Sequence, residues 1–404
     1  MDKLQILLVA DGRSPITRNW IRMARSIGCA VHLASTYPYQ PIAGLESQTT
    51  IAVGFSSFAG GQIQTGSQPS RSLKKQAVSA LRPLLMRLRA ELAPRFMRKA
   101  QEELRAFAIS CQPDIVHALR IPFEGMLCAA LPASLPLVVS IWGNDLTLHA
   151  GTSNAMRKLT LRTLNRADGL LADAARDITL AQTMGLRRDV PVDVVPGSGG
   201  LDLAEIDASR KRAAATLEHY KIPAGRPLVI NPRGFRPGSV HQDTFFQSIP
   251  LVLKKHPEAY FICPGMAGQA AAENWVKLLG ISGSVALLPY IQQAELWALY
   301  AASTIYISLS SHDGTPNSFL EAAACGCYPV VGDIASLREW ILPSENGTLV
   351  DPRDAQAAAQ ALCSVINDER LRASAAQKNR MMVAERADRV VVGEKVARFY
   401  QRLI

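Results

Sequence analysis

No stretch of this 404-residue chain strings together the roughly 20 apolar residues needed to cross a bilayer, so a membrane-spanning protein is not expected. The N-terminal MDKLQILLVADG holds an apolar run too short for a secretory leader and continues into a strand-turn-helix pattern, which places the expected chain in the cytoplasm. Aromatic residues are scarce at 6% and charged ones make up only 19%, whereas hydrophobic residues reach 48%, which excludes a long disordered chain and fits an ordinary α/β composition. The seven cysteines are an odd number, and Cys29, Cys128, Cys263 and Cys363 sit in apolar runs, as reduced core residues do. Cys325-Gly-Cys327 has no second cysteine pair to complete a zinc site, and no Asp-x-Asp pair occurs, so no metal is expected.

Acidic residues are nearly missing from one region. Between Arg71 and Lys99 nine basic residues face a single acid, Glu91, against a formal net charge of +10 for the whole chain. Leu81, Leu84, Leu85, Leu88 and Leu92 recur there at helical spacing, so segment 71–99 reads as a basic amphipathic helix broken near Pro83 and Pro94. Such a stripe can lie peripherally on an anionic membrane surface, or be a solvated helix packed on its own domain, the commoner outcome. Nucleic acid is not an expected partner, because Phe96 alone could stack on a base and no nucleic-acid module surrounds it.

The length exceeds what one core usually supports and predicts two domains. Short apolar runs at Leu4–Ala10, Ala30–Ala34, Ile115–Ala118, Leu137–Ile141, Gly169–Ala172 and Val192–Val195 read as buried strands with helical patterns between them, and Thr50–Val53 reads as one more short strand. A second series follows at Leu228–Asn231, Tyr260–Cys263, Val285–Leu288, Thr304–Ile307 and Tyr328–Val331. Alternation of this kind predicts parallel sheets covered by helices. The glycines and proline of Val195-Pro-Gly-Ser-Gly-Gly-Leu-Asp202 mark the linker, giving domains at 1–200 and 203–385 with a final helix at about 386–404.

Ser308 to Asp333 carries the densest chemistry. After the buried strand comes Asp313-Gly314-Thr315-Pro316-Asn317-Ser318, then a small-residue helix with Glu321 in its first turns. The turn lies at the carboxyl end of a strand, where open parallel sheets bind ligands, and the amides from Thr315 to Phe319 are expected to be free to accept an anion. Asp313 and Glu321 flank that position, and carboxylates there suit hydroxyl groups. The plain alternative is a turn followed by an acid at a helix start. Asn231-Pro-Arg233-Gly-Phe-Arg236 closes the first strand of the second domain and supplies two guanidiniums.

The Ser308–Asp333 segment resembles the signature of glycosyltransferase family 4, also called glycosyl transferases group 1: retaining enzymes of the GT-B fold, with two facing Rossmann-like domains and a deep cleft between them. Asp313 takes the first acidic position of the signature, commonly Glu in the family, and Glu321 the second. Arg233 matches the family's phosphate-binding Arg; no Lys follows at the usual spacing, and Arg236 is the expected substitute. Pro113-Asp-Ile-Val-His117 is similar to the family's strand ending in His, and Val139-Ser-Ile-Trp-Gly-Asn-Asp145 to a branch in which Trp142 replaces a site His. Asp145 is then either an acceptor-side hydrogen-bonding carboxylate or a helix N-cap. Gly12, in Asp11-Gly-Arg13-Ser-Pro15, either brings backbone close to a ligand or makes a plain strand-to-helix turn.

The resemblance implies transfer of a sugar from a UDP- or GDP-type nucleotide sugar to a hydroxyl-bearing acceptor, a glycan, lipid-linked glycan or small molecule, with no cofactor required beyond the donor. Glu321 would meet the ribose, Asp313 the sugar, Arg233, Arg236 and the Gly314–Ser318 amides the diphosphate, and the loops with Gly265 and Tyr290 the nucleoside. It also implies that the last helix packs back on the first domain. A nucleotide-sugar epimerase of the same fold, or a degenerate sugar-nucleotide-binding subunit, is the alternative; a glycogen-type phosphorylase would need a Lys to hold pyridoxal phosphate, and no suitable Lys lies beside the signature in this sequence.

Overall fold

The computed structural model describes residues 3–53, 97–236 and 238–404. They divide into two units, the first reaching Gly200 and taking back Arg389–Ile404, the second running Leu201–Asp388. Most of the basic segment 71–99 lies outside the described residues, which resume at Met97 in a helix over 97–111.

The first unit is built on seven strands: β1 (Gln5–Ala10), β2 (Ala30–Ser35), β3 (Ser47–Thr50), β4 (Ile115–Ala118), β5 (Leu137–Ile141), β6 (Gly169–Ala172) and β7 (Val192–Val194). Their order is β3-β2-β1-β4-β5-β6-β7, with every pair parallel. Aliphatic side chains point to both faces of the central strands, and Ile6 to Val9 are all at most 1% exposed because helices cover both sides. The first helix, Pro15–Ser26, starts where Ser14 caps it, its hydroxyl accepting from the Ile16 amide at 3.3 Å, with Pro15 pre-set for the first turn. The short strand expected at Thr50–Val53 instead pairs as Ser47–Thr50; its polar sequence lacks the apolar run that marked the others.

The second unit repeats the design with β8 (Leu228–Ile230), β9 (Tyr260–Cys263), β10 (Val285–Leu287), β11 (Ile305–Ser308), β12 (Tyr328–Gly332) and β13 (Thr348–Val350). The order is β10-β9-β8-β11-β12-β13, again all parallel. The edge strand β13 has no counterpart in the sequence reading, because three residues are too few to show a period. In each sheet the winding reverses between two neighbouring central strands, β1 and β4 in the first and β8 and β11 in the second. The loops leaving such a pair diverge, and a crevice opens at their carboxyl ends.

The last helix, Arg389–Gln401, belongs to the first unit and buries Val392, Val396, Phe399 and Tyr400 completely in a core with Trp20 and Ile21. His117 ties it down: Nδ1 lies 2.7 Å from the Tyr400 hydroxyl, Nε2 lies 2.8 Å from Ser140 Oγ, and Trp20 packs edge-on against the imidazole. Burial lowers the His117 pKa to about 3, so the ring is neutral and serves the core. No described helix is long and apolar enough to cross a membrane.

Candidate functional site

In the second unit the loops after β8 and β11 carry the expected site residues, one on each side of the winding reversal. Asn231 shapes the first loop: its side-chain amide donates to Gln242 Oε1 at 2.8 Å, and its carbonyl oxygen accepts from the Arg233 amide at 3.2 Å. Gln242 donates in turn to the Gly234 carbonyl at 2.6 Å, and Gly234 adopts φ +58°, which a glycine takes without strain. The loop after β11 lies flush against β12, where a Cβ on Gly332 would sit 2.2 Å from the Ser310 carbonyl oxygen. Ser336 Oγ donates to the Asp313 carbonyl at 2.9 Å, and Trp340 Nε1 donates to Thr315 Oγ1 at 3.1 Å. These bonds fix the backbone on which Asp313 is mounted.

The two loops meet through Arg233. Its Nη2 donates to Asp313 Oδ2 and its Nη1 to Ser318 Oγ at 3.2 Å, while Ser318 Oγ also lies 3.0 Å from the Tyr306 hydroxyl. Arg233 is nearly buried, and its Nε has no hydrogen-bond partner among the described residues. Desolvation works against the Arg233 charge, but Asp313 and then Tyr306 and Tyr300 outweigh it, so its pKa is raised. Arg236, on the exposed side of the same loop, has its pKa lowered, first by the Arg233 charge and then by desolvation. Two guanidiniums close enough to repel each other face one carboxylate. That surplus positive charge, with an unsatisfied donor beneath it, suits a bound anion.

The helix Asn317–Cys325 begins at Pro316 and ends at Gly326, φ +99°. Its amides are not all free, contrary to the sequence reading. The Pro316 carbonyl already accepts from the Phe319 amide at 3.0 Å, and the Gly314 amide turns toward Asp313 Oδ1 at 3.1 Å. Glu321 is buried in the helix face, and desolvation raises its pKa to about 8, with the Gln293 side chain pulling the other way. The carboxyl is therefore largely protonated at neutral pH, ready to be ionised by donors that favour the charged form. Gly265, at φ +76°, and Tyr290 stand on adjacent loops after β9 and β10, knitted together by the Gly265 amide donating to the Pro289 carbonyl at 3.0 Å. Tyr290 is half exposed. Among the described residues no group of three His, Cys, Asp or Glu side chains is placed to hold a metal ion.

The first unit places its expected residues differently. The Gly12 amide donates to Ser35 Oγ at 2.9 Å, and a Cβ there would lie 2.6 Å from the Tyr39 ring, so the close approach that needs glycine is internal to the protein. Asp145 is neither an exposed hydrogen-bonding carboxylate nor an N-cap. It is wholly buried one residue inside its helical turn, with Oδ1 paired to Arg120 Nη2 at 2.8 Å and Oδ2 accepting from the Ile121 amide at 3.2 Å. The partly exposed member of that pair is Arg120, which the sequence reading passed over. It also passed over Glu124, whose Oε1 accepts from Thr36 Oγ1 at 2.7 Å, and the braces Ser336 and Trp340. None of these stands in a motif; each shows its role only once distant loops are brought together.

Residues 218–382 match the family described as Glycosyl transferases group 1. Among curated proteins, the chain is 27% identical over 191 residues to D-inositol 3-phosphate glycosyltransferase of Corynebacterium urealyticum, covering 44% of each chain. It is 24% identical over 304 residues to the GDP-mannose:cellobiosyl-diphosphopolyprenol alpha-mannosyltransferase of Xanthomonas campestris, covering 72% of this chain and 74% of that one. The chain thus spans less than half the length of the first relative and about three quarters of the second. Among solved structures, Anabaena Alr3699/HepE in complex with UDP superposes with a TM-score of 0.72 at 16% identity, over 99% of this chain and all of that one. The fold is GT-B, two Rossmann-like α/β units.

Proposed function

We propose that this chain, which carries a glycosyl transferases group 1 domain at residues 218–382 within a GT-B fold, is a retaining transferase that moves a sugar from a nucleoside diphosphate sugar to an acceptor hydroxyl in the assembly of a surface glycan or glycolipid. The observation that carries this reading is the Arg233 and Arg236 pair, poised with surplus positive charge and an unsatisfied Nε at the winding reversal of the second sheet. A departing nucleoside diphosphate gains negative charge as the anomeric C–O bond breaks, and preorganised guanidiniums stabilise that charge more in the transition state than in the ground state. They supply locally the charge compensation that a divalent cation supplies elsewhere, and the reading therefore includes no resident metal. Glu321 takes the ribose hydroxyls, Asp313 a hydroxyl of the transferred sugar, and the Gly265 and Tyr290 loops the nucleoside.

The acceptor is received at the carboxyl edge of the first sheet. Its oxygen bonds to the anomeric carbon on the face from which the diphosphate leaves, and its proton passes to an oxygen of the leaving phosphate, so configuration is retained. The relative named for GDP-mannose and the neighbour holding UDP leave both bases as candidates, and the polyprenol-linked substrate in the former's name supports a lipid-linked acceptor. The test is incubation of the purified chain with UDP- and GDP-sugars, with and without oligosaccharide acceptors, following nucleoside diphosphate release and the anomeric proton of the product by NMR. One base family should give release that acceptor accelerates, with the donor's anomeric configuration kept in the product. An isomerised donor formed without acceptor would replace this reading with epimerisation.

A further inference from the structure

We propose that Tyr306 is a positioning residue that turns the Ser318 hydroxyl outward as a further donor to the bound nucleoside diphosphate, beside the Arg233 guanidinium; this rests on the transferase reading above and concerns how its donor site holds the diphosphate charge. The need for such a donor arises at the start of the helix Asn317–Cys325. Of the amides there, that of Phe319 is already held by the Pro316 carbonyl at 3.0 Å, and that of Gly314 is turned toward Asp313 Oδ1 at 3.1 Å. Ser318, the second residue of the helix and half-buried, brings a side-chain oxygen to the same place. Arg233 Nη1 lies 3.2 Å from that oxygen and the Tyr306 hydroxyl 3.0 Å from it.

A serine hydroxyl can accept two hydrogen bonds and donate one, whereas a guanidinium can only donate, so Arg233 fills one lone pair of Ser318 Oγ. Between Ser318 and Tyr306 either oxygen can be the donor. If Ser318 donates, its single O–H is used up inside the protein. If Tyr306 donates, that O–H is left to point away from both partners. A phosphate oxygen held against Arg233 selects the second arrangement, because only then does Ser318 offer it a proton rather than a lone pair. Two donors feeding the Ser318 oxygen, one of them charged, polarise its O–H and strengthen the bond it makes to an anion. Tyr306 is well placed to be that second donor. It is wholly buried on β11, its ring edge-on to Tyr300 at 6.4 Å between centres and tilted against Phe319 at 6.5 Å, and its hydroxyl lies on the axis about which the ring turns, so the oxygen stays fixed against Ser318. Burial raises its pKa above the ordinary tyrosine value, with the Arg233 charge pulling the other way, so the hydroxyl keeps its proton.

The experiment titrates UDP and GDP into the full chain by calorimetry, for the wild type, Ser318→Ala, Ser318→Thr, Tyr306→Phe and the double variant Ser318→Ala with Tyr306→Phe. With the base that binds, Ser318→Ala should weaken the diphosphate by about tenfold or more, the cost of one hydrogen bond to a charged group, and Ser318→Thr, which keeps the hydroxyl, should restore most of it. Tyr306→Phe keeps the ring packing and should weaken binding by about threefold, the cost of one neutral hydrogen bond. The double variant should bind no more weakly than Ser318→Ala alone, since the tyrosine acts only through the serine. A tyrosine that merely supported the fold would instead add its own loss whether or not the serine hydroxyl was present. Ser318→Ala that binds like the wild type, equal losses from alanine and threonine, or additive losses in the double variant each overturn the inference and leave the transferase reading standing. A wild-type chain that binds neither diphosphate strikes that reading, and this inference with it.

Discussion

Arg233→Ala is expected to lower kcat/KM for sugar transfer by at least about 10²–10³-fold, the usual cost of removing one preorganised donor to a developing negative charge. The loss should be larger than for a surface arginine because the Arg233 guanidinium is nearly buried, so any phosphate bond it makes forms in a weakly screened environment. Arg233→Lys keeps the charge but loses the planar fork that holds Asp313 and Ser318 together, and should fall between the two. Stability is a separate matter. Removing the arginine leaves the Asp313 carboxylate without its partner, which costs on the order of 3 kcal/mol where a buried pair is broken. Adding Asp313→Asn to Arg233→Ala should recover much of the stability and none of the turnover. Asp313→Asn alone should tighten a bare nucleoside diphosphate several-fold, because the carboxylate competes with phosphate for Arg233. Turnover by Arg233→Ala at the wild-type level would remove this residue from the site.

Glu321→Gln is expected to change both nucleotide affinity and the pH profile of stability. In the unliganded protein desolvation raises the carboxyl pKa from its ordinary value of 4.5 to about 8. Between those values the native state holds a proton that the unfolded chain has lost, so stability falls as pH rises through the window, by on the order of 5 kcal/mol in all. Below the window the side chain costs nothing; above it the full cost is felt. Glutamine removes this slope, so the variant should be the more stable protein at pH 9 and gain nothing at pH 4. A fall of the same slope over a narrower window from Glu124, raised from 4.5 to about 7 by burial, should remain in both proteins. Ribose hydroxyls donating to Glu321 favour its ionised form and pull the pKa down, so binding at pH 7 should release roughly one proton. Calorimetry in buffers of different ionisation enthalpy reads that release directly. Glu321→Gln should abolish it and weaken binding by about 10- to 150-fold, the range for losing a hydrogen bond to a charged group.

Much of the scaffold was legible because buried parallel strands declare themselves as short aliphatic runs. Ile115–Ala118, Leu137–Ile141, Gly169–Ala172 and Tyr260–Cys263 lie where their composition placed them. Polar or very short strands did not, as at Ser47–Thr50 and Thr348–Val350, where neighbours in the sheet rather than side-chain pattern decide the conformation. At the site, Arg233 and Asp313 could be picked out as chemistry but not as partners, since eighty residues separate them and only the winding of β8 beside β11 brings their loops together. Asp145 shows the reverse limit. A carboxylate in a promising motif is sunk beneath Arg120, and no local pattern distinguishes a displayed charge from one used to hold another in place. Glu124 and Trp340 were invisible for a related reason: each reads as an ordinary residue in its own segment and matters only through a contact with a distant loop.

The central claim is that a nucleoside diphosphate sits on the second unit between the loops after β8 and β11 and over Glu321. Amide hydrogen exchange on the full chain, with and without saturating UDP or GDP, tests it most directly. The account predicts slowed exchange confined chiefly to residues 231–241, 264–268, 288–291 and 313–322 with the base that binds. Saturable nucleotide binding that leaves 231–241 and 313–322 unprotected would contradict it.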